Sequence, residues 1–306
     1  MVQENSLSQL LIICGPTASG KSELAAECAK MLGSEVISAD SMYIYKGLDI
    51  GTAKPVKEEM RGVTHHMIDV ADFFSSFTVS DYERTALPVV KSLISRGKVP
   101  VICGGTGFYI NSLLYDFSYG NGQCAPLVRE KYKALAEIFG NEYVYGILQR
   151  CDPETAKKLH HNDVKRVIRA LEIFENGIKK SDITDELIPR FSYSAYCIDY
   201  PREKLYERID KRVDKMIACG LVEEVKKLIE AGVTTKNQCM QGIGYKETYA
   251  YLTGKCTLEE AADTIKLNTR HYAKRQITFF KKLPGLVFLQ PDLPEINAQR
   301  IIKQWI

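Results

Sequence analysis

Leu10-Leu11-Ile12-Ile13-Cys14 is an unbroken apolar run that stops at a glycine. Five apolar positions without alternation predict a short strand covered on both faces, as in a parallel sheet. Helix formers follow from Ser22 to Met31. Val36 and Ile37, within Ser34 to Asp40, predict a second strand that ends in an acid. A helical pattern from Ser80 to Arg96 and the turn Arg96-Gly97-Lys98 lead to a third strand, Val99 to Cys103. Strands alternating with helices, with polar residues just past the strand ends, predict an α/β fold with a doubly wound, mainly parallel sheet.

The pattern changes after Tyr119-Gly120-Asn121-Gly122, where helical periodicity runs from about 125 to 176 without a strand. This predicts a helical insertion domain. Strand character returns at Tyr193 to Asp199, a helix from Pro201 to Ala218 opens with proline in its first turn, and Leu286 to Leu289 forms a last short strand. The predicted division is a core at 1–119, the insertion at 120–192, and the rest of the core with basic C-terminal helices at 193–306.

Gly15-Pro16-Thr17-Ala18-Ser19-Gly20-Lys21-Ser22 fits G-x-x-x-x-G-K-[ST] between a predicted strand and a predicted helix, the context this phosphate loop requires. Backbone N–H groups curl around phosphate oxygens, the helix N-terminus favours the anion, Lys21 neutralises charge and Ser22 can ligate Mg2+. The fold is therefore of P-loop type, and the loop implies a di- or triphosphate without naming the rest of the ligand. Asp40, at the end of the second strand, should face the same crevice as a general base or metal ligand, or cap the following turn. Thr106, in Gly104-Gly105-Thr106-Gly107, offers a hydroxyl to a phosphate oxygen, or belongs only to a turn.

Composition narrows the class. The chain has 306 residues, 45% of them hydrophobic and 26% charged, which excludes a largely disordered or fibrous protein. Nine scattered cysteines with no C-x-x-C pair predict reduced thiols in a cytoplasm. Met1 to Leu10 has no basic leader, and no apolar run approaches a membrane span. The net charge of +3 says little until it is mapped. Lys165, Arg166 and Arg169 lie on an amphipathic helix, and Asp263 to Lys282 carries six basic residues against one acid. For each stripe alone a solvated face is the simpler account; two stripes in a phosphate-binding protein favour an extended polyanion. The pairs His65-His66 and His160-His161 lack metal-ligand spacing and read as structural.

Together these residues resemble bacterial tRNA dimethylallyltransferases, also called tRNA isopentenyltransferases. The likeness runs in order through GPTASGKS, SADSMYIYKGLDIGTAKP, HHMID, GGTGFY, KRVIRALEIF, KLYERIDKRVDKMI, QGIGYKE and TRHYAKRQITFF. The resemblance implies transfer of a dimethylallyl group from dimethylallyl diphosphate to N6 of the adenosine 3′ of the anticodon, position 37, assisted by Mg2+ held partly through Ser22. It also implies that the phosphate loop, usually described as an ATP or nucleotide site, holds the donor's diphosphate. Asp40 matches the family's base, and Thr106 and Arg212 match groups around the leaving diphosphate, with Arg208 as the alternative arginine. Asp40, Ser41, Met42, Tyr43 and Thr106 match segments around the target base. Lys165, Arg166, Arg169, Gly244, Tyr245, Lys246, Arg270, Lys274 and Arg275 match segments that touch the anticodon stem-loop. Tyr43 and Phe279 depart from the glutamine and tryptophan common in the family. A monomer without a membrane partner is expected.

Other readings share parts of this pattern. A prenyltransferase acting on free AMP would share the loop and the acid but has no use for the insertion. A nucleotide kinase is the default reading of a lone phosphate loop, yet the third strand lacks a terminal acid. A binding module without catalysis would have no need of Asp40.

Overall fold

A computed structural model describes residues 9–116, 126–183 and 189–303. The stretch before Gln9, the turn Tyr119-Gly120-Asn121-Gly122 and Cys124 lie outside the described residues. The strands are β1 (Leu10–Cys14), β2 (Val36–Ser38), β3 (His65–His66), β4 (Val101–Gly104), β5 (Tyr193–Ile198) and β6 (Leu286–Leu289), and they form one sheet in the order β3-β2-β4-β1-β5-β6. Every pairing is parallel, with Ile13 opposite Cys103 on one side and Tyr196 on the other.

The apolar run of β1 is fully buried because it lies at the centre of the sheet with both faces covered. Side chains alternate between faces. Leu11 and Ile13 pack with Leu24, Ala25 and Cys28 of α1 (Lys21–Met31) and with Ala298 and Ile301 of the C-terminal helix Pro294–Ile302. Between β1 and β4 come α1, β2, β3 and α2 (Val79–Ser95), the last started by a Thr78–Asp81 capping box. The third strand expected at Val99 to Cys103 is β4, fourth in the chain. His65–His66 adds a two-residue strand that the pattern did not suggest, because polar histidines carry no apolar signal and the pairing comes from β2.

After β4 follow α3 (Gly107–Leu114), α4 (Pro126–Phe139), α5 (Asn141–Cys151), α6 (Pro153–Ala156) and α7 (Val164–Glu175). After β5 come α8 (Arg202–Ala218), α9 (Leu221–Glu230), α10 (Tyr245–Leu252), α11 (Leu258–Phe280), then β6 and α12, the C-terminal helix already named. The chain divides into two compact units, Met1–Tyr115 with Pro189–Ile306, and Asp116–Ile188. An antiparallel bridge joins Tyr115 and Pro189, the two residues at which the first unit is interrupted.

The smaller unit has its own core of Tyr132, Val144, Leu148, Val167, Ile168 and Leu171. Glu172 is buried within it and accepts hydrogen bonds from Arg129 Nε (2.6 Å) and Nη2 (3.0 Å) and from Arg169 Nη1 (3.1 Å). Phe174 at the end of α7 is exposed, and its neighbour Ile173 is buried.

Candidate active site

The phosphate loop leaves the C-terminal end of β1 and enters α1. Gly15 has φ 138°, and a Cβ there would lie 2.8 Å from Cys197 Sγ, so both conformation and space require glycine. Gly20 caps α1 in the left-handed region, and Ala18 is also left-handed, with φ 62°. Ala18 is held there from outside, because Arg208 Nε donates to its carbonyl at 2.7 Å while the guanidinium lies 4.8 Å from the Tyr200 ring. Lys21 Nζ donates to Pro16 O at 3.1 Å across the loop. Burial holds the Lys21 ammonium below the ordinary lysine value, with the nearby Arg212 charge acting in the same direction and Asp40 against it.

Asp40 follows β2. Its Oδ1 accepts from the Met42 N–H at 2.9 Å, so the turn-capping reading holds, and the carboxylate also faces a cavity of ≈ 400 Å³. That cavity is lined by Thr17, Lys21, Asp40, Ser41, Met42 and Arg212, among others. A smaller cleft, with Ser22, Ser38, Tyr43 and Cys103 on its walls, shares Lys21 and Asp40 with it. Tyr43 donates its hydroxyl to Ala53 O at 2.9 Å, and burial with the Asp40 charge raises its pKa.

Thr106 stands at the N-terminus of α3 without capping it. Its Oγ1 accepts from the Ser41 N–H at 3.0 Å and lies 3.3 Å from Ser41 Oγ, tying the end of β4 to the end of β2. The approach is close: a Cβ on Gly104 would sit 2.1 Å from Ala39 O. Arg212 reaches the cavity wall from α8 and donates from Nη2 to Thr52 O at 2.6 Å. Of the two arginines weighed, Arg212 therefore faces the cavity, and Arg208, one turn earlier, braces the phosphate loop.

Two positions escaped the sequence reading. Gln276 of α11 is buried; its Oε1 accepts from the Thr17 N–H at 3.0 Å and its Nε2 donates to Gly105 O at 2.9 Å. A signal existed, since Ala273, Gln276 and Phe280 mark the inner stripe of α11 and a glutamine there needs partners. Glu224 accepts four hydrogen bonds, from the N–H groups of Asp49, Ile50 and Gly51 and from the Tyr245 hydroxyl. Nothing in its surface-helix spacing announced this.

The residues assigned to a polyanion divide. Lys165 and Arg166 are exposed on α7, with Arg166 3.2 Å from Asp163. Arg169 is half-buried and engaged with Glu172. On α11, Lys274 and Arg275 are exposed, the latter over the Tyr272 ring at 5.7 Å. Arg270 is instead bonded to Asp210 of α8, and Lys266 pairs with Asp214 at 2.6 Å. The basic stretch from 263 to 282 is thus partly consumed by packing against Asp210 and Asp214 of α8. Gly244 and Tyr245 do not lie on the surface. Gly244 is buried within its turn and Tyr245 is completely buried, because its ring packs against Gly51 and its hydroxyl bonds Glu224, leaving Lys246 exposed from that block.

Burial keeps the nearby thiols protonated. Cys103 is pushed up to about 11, Cys197 to about 12 and Cys14 well above its usual value. None of these thiols is ionised at neutral pH. The described residues contain no group of three or more His, Cys, Asp and Glu able to hold a metal. His66 bonds Glu35 at 2.7 Å and His65 bonds Val63 O at 2.9 Å, consistent with structural roles.

A glycine-rich loop at a strand's end, and a cavity beside it lined by Lys21 and Asp40, define an α/β fold of the P-loop type. The chain belongs to the IPP transferase family, whose model matches residues 43–283. It is similar to the tRNA dimethylallyltransferase of Caldanaerobacter subterraneus subsp. tengcongensis, at 46% identity over 89% of each chain. It is also similar to that of Acetivibrio thermocellus, at 44% over 97% of this chain and 96% of the other. Among solved structures, the tRNA isopentenylpyrophosphate transferase of Bacillus halodurans matches with TM-score 0.74 and 38% identity, covering 97% of this chain and 95% of that one. A eukaryotic dimethylallyltransferase acting on tRNA matches with TM-score 0.83 and 31% identity, covering 96% of this chain and 78% of its own.

Proposed function

We propose that this chain is a tRNA dimethylallyltransferase that moves the dimethylallyl group of dimethylallyl diphosphate to N6 of adenosine 37 beside the anticodon. The observation that carries this reading is the meeting of Asp40, Lys21 and Arg212 on one ≈ 400 Å³ cavity at the mouth of the phosphate loop. The backbone of Gly15–Ser22 and the Lys21 ammonium hold the diphosphate, and Arg212 adds a second cation as the leaving group gains charge. The adenine amino group is a weak nucleophile because its lone pair is delocalised. As N6 attacks, the N6–C bond forms, the C–O bond to diphosphate breaks, and Asp40 accepts the N6 proton before passing it to solvent. Thr106, through Ser41, keeps the base-side loop against the diphosphate side.

The donor set fits a divalent cation. Ser22 lies at the start of α1, and the buried Ser38 Oγ on the same small cleft has no partner, so hydroxyl oxygens and phosphate would supply hard ligands. We take the cation to be Mg2+, with Ser22 as its protein ligand and charge neutralisation as its contribution.

The target nucleotide must leave its stack to enter the cavity. We assign Asp40, Ser41, Met42 and Tyr43 to the base, and Lys165, Arg166, Lys246, Lys274 and Arg275 to the phosphates of the anticodon stem-loop, the unit 116–188 serving as the tRNA-binding domain. No helix among the described residues is long and apolar enough to cross a membrane. We place the enzyme in the cytoplasm as a monomer. The test is incubation of purified protein with dimethylallyl diphosphate, Mg2+ and unmodified tRNA bearing adenosine 37. Prenyl-adenosine in the digested tRNA supports the reading; its absence, or a preference for free AMP in competition, sinks it.

A further inference from the structure

Arg212 is a long side chain whose aim must come from its surroundings, and its Nη2 is held by Thr52 O at 2.6 Å. Thr52 belongs to a tight loop. Its own hydroxyl donates back to Leu48 O at 2.7 Å, and Ala53 N–H donates to Ile50 O at 2.9 Å. The N–H groups of Asp49, Ile50 and Gly51 converge in the manner of a backbone nest, a concavity that attracts an anion. The anion is Glu224 of α9, whose Oε2 accepts from Asp49 at 2.9 Å and Ile50 at 2.7 Å, while Oε1 accepts from Gly51 at 3.0 Å and from the Tyr245 hydroxyl at 2.6 Å. The fit leaves no slack at Gly51, where a Cβ would meet the Tyr245 ring at 2.6 Å and Leu221 Cδ1 at 2.8 Å.

We propose that Glu224 is a positioning residue for the diphosphate site: by filling the nest it fixes the 49–53 loop, so that Thr52 O holds the Arg212 guanidinium on the cavity wall beside Lys21 and Asp40. The inference rests on Arg212 contacting the diphosphate as assigned above. A displacement of ~1 Å at such a group can cost up to ~10²-fold in rate, which makes the loop's rigidity a functional quantity. A glutamine cannot substitute. Four donors face the two carboxylate oxygens, whereas an amide supplies one oxygen and turns its own donors towards the rest.

The experiment measures binding of inorganic diphosphate with Mg2+ to the full chain by calorimetry, for wild type, Glu224→Gln, Arg212→Ala and the double variant. Coupled sites make non-additive changes, so we expect ~10-fold weaker binding for Glu224→Gln, ~30-fold for Arg212→Ala, and a double variant within ~2-fold of Arg212→Ala alone. Affinity for tRNA should be unchanged in Glu224→Gln, and amide exchange at Asp49, Ile50 and Gly51 should accelerate. Independent losses that multiply to ~300-fold, or wild-type diphosphate affinity in Glu224→Gln, overturn the proposal. If Glu224→Gln does not fold, Tyr245→Phe, which removes one of the four bonds, carries the same cycle. Its expected ~3-fold loss must vanish in the Arg212→Ala background, and persistence there overturns the proposal equally. A wild-type protein that binds diphosphate but forms no prenyl-adenosine would refute the proposed reaction while this cycle still decides the role of Glu224.

Discussion

Gln276 bonds Thr17 across 259 positions of chain, its Oε1 accepting from the Thr17 N–H while its Nε2 donates to Gly105 O. One buried amide thereby joins the phosphate loop, the β4–α3 turn and α11. A Cβ on Gly105 would fall 2.1 Å from Gln276 Nε2, so glycine and glutamine are matched in space. Gln276→Ala leaves the Thr17 N–H and the Gly105 carbonyl without these partners, at a cost of about 1–3 kcal/mol for each group that stays unpaired. We expect diphosphate binding to weaken by ~10-fold, about 1.4 kcal/mol, with a lower melting temperature, read by calorimetry and thermal unfolding.

Asp40 has a structural duty as well as a proposed chemical one, because its Oδ1 caps the turn at Met42. Asp40→Asn keeps an oxygen for that turn and removes the base. The expected result is a fall in turnover of ~10²-fold or more with tRNA affinity preserved, measured by single-turnover prenylation and filter binding. Loss of tRNA binding in step with turnover would instead mark Asp40 as a binding group.

Lys21 provides a pH test. Burial lowers its pKa in the free protein, and the protonated form is the one that attracts diphosphate. Affinity should therefore decline as pH rises through a value below the ordinary lysine figure of about 10.4. Lys21→Arg, which stays charged, should flatten that decline even if its neutral-pH affinity is lower.

Glu35 supplies the acid limb of stability. Hydrogen bonds from His66, Lys98 and Arg96 hold its carboxyl at about 2. A folded-state pKa depressed below the unfolded value of about 4.3 means stabilisation that is complete above that value and is lost as pH falls towards 2. Glu35→Gln should melt lower than wild type at pH 7, and the two melting curves should converge on acidification through this window.

The basic residues separate by what already occupies them. Lys274→Ala or Lys165→Ala, at exposed positions, should weaken tRNA binding with little change in melting. Each should also reduce the slope of log affinity against log salt by about 0.7 to 0.9 for every phosphate no longer neutralised. Arg270→Ala removes the partner of Asp210 and should act mainly on thermal stability. An unchanged salt slope for Lys274→Ala would remove α11 from the interface.

Local information determined much of this protein. The apolar run of β1, the spacing of Gly15 to Ser22, the acid after β2 and the glycine turn after β4 each declare themselves within a few residues, since strand burial and loop curvature are short-range requirements. Periodicity also placed α8 correctly enough to set Arg212 and Arg208 one turn apart. It could not say which faces the cavity, because that choice depends on the 49–53 loop that receives Arg212. Tertiary structure alone decided that Tyr245 is core, that Arg270 and Lys266 are neutralised by α8, that Glu224 fills a nest, and that Gln276 joins two loops. The physical reason is common to all four: whether a polar side chain is free for a ligand depends on the hydrogen-bond partners brought to it from distant segments, and chain spacing carries no record of them.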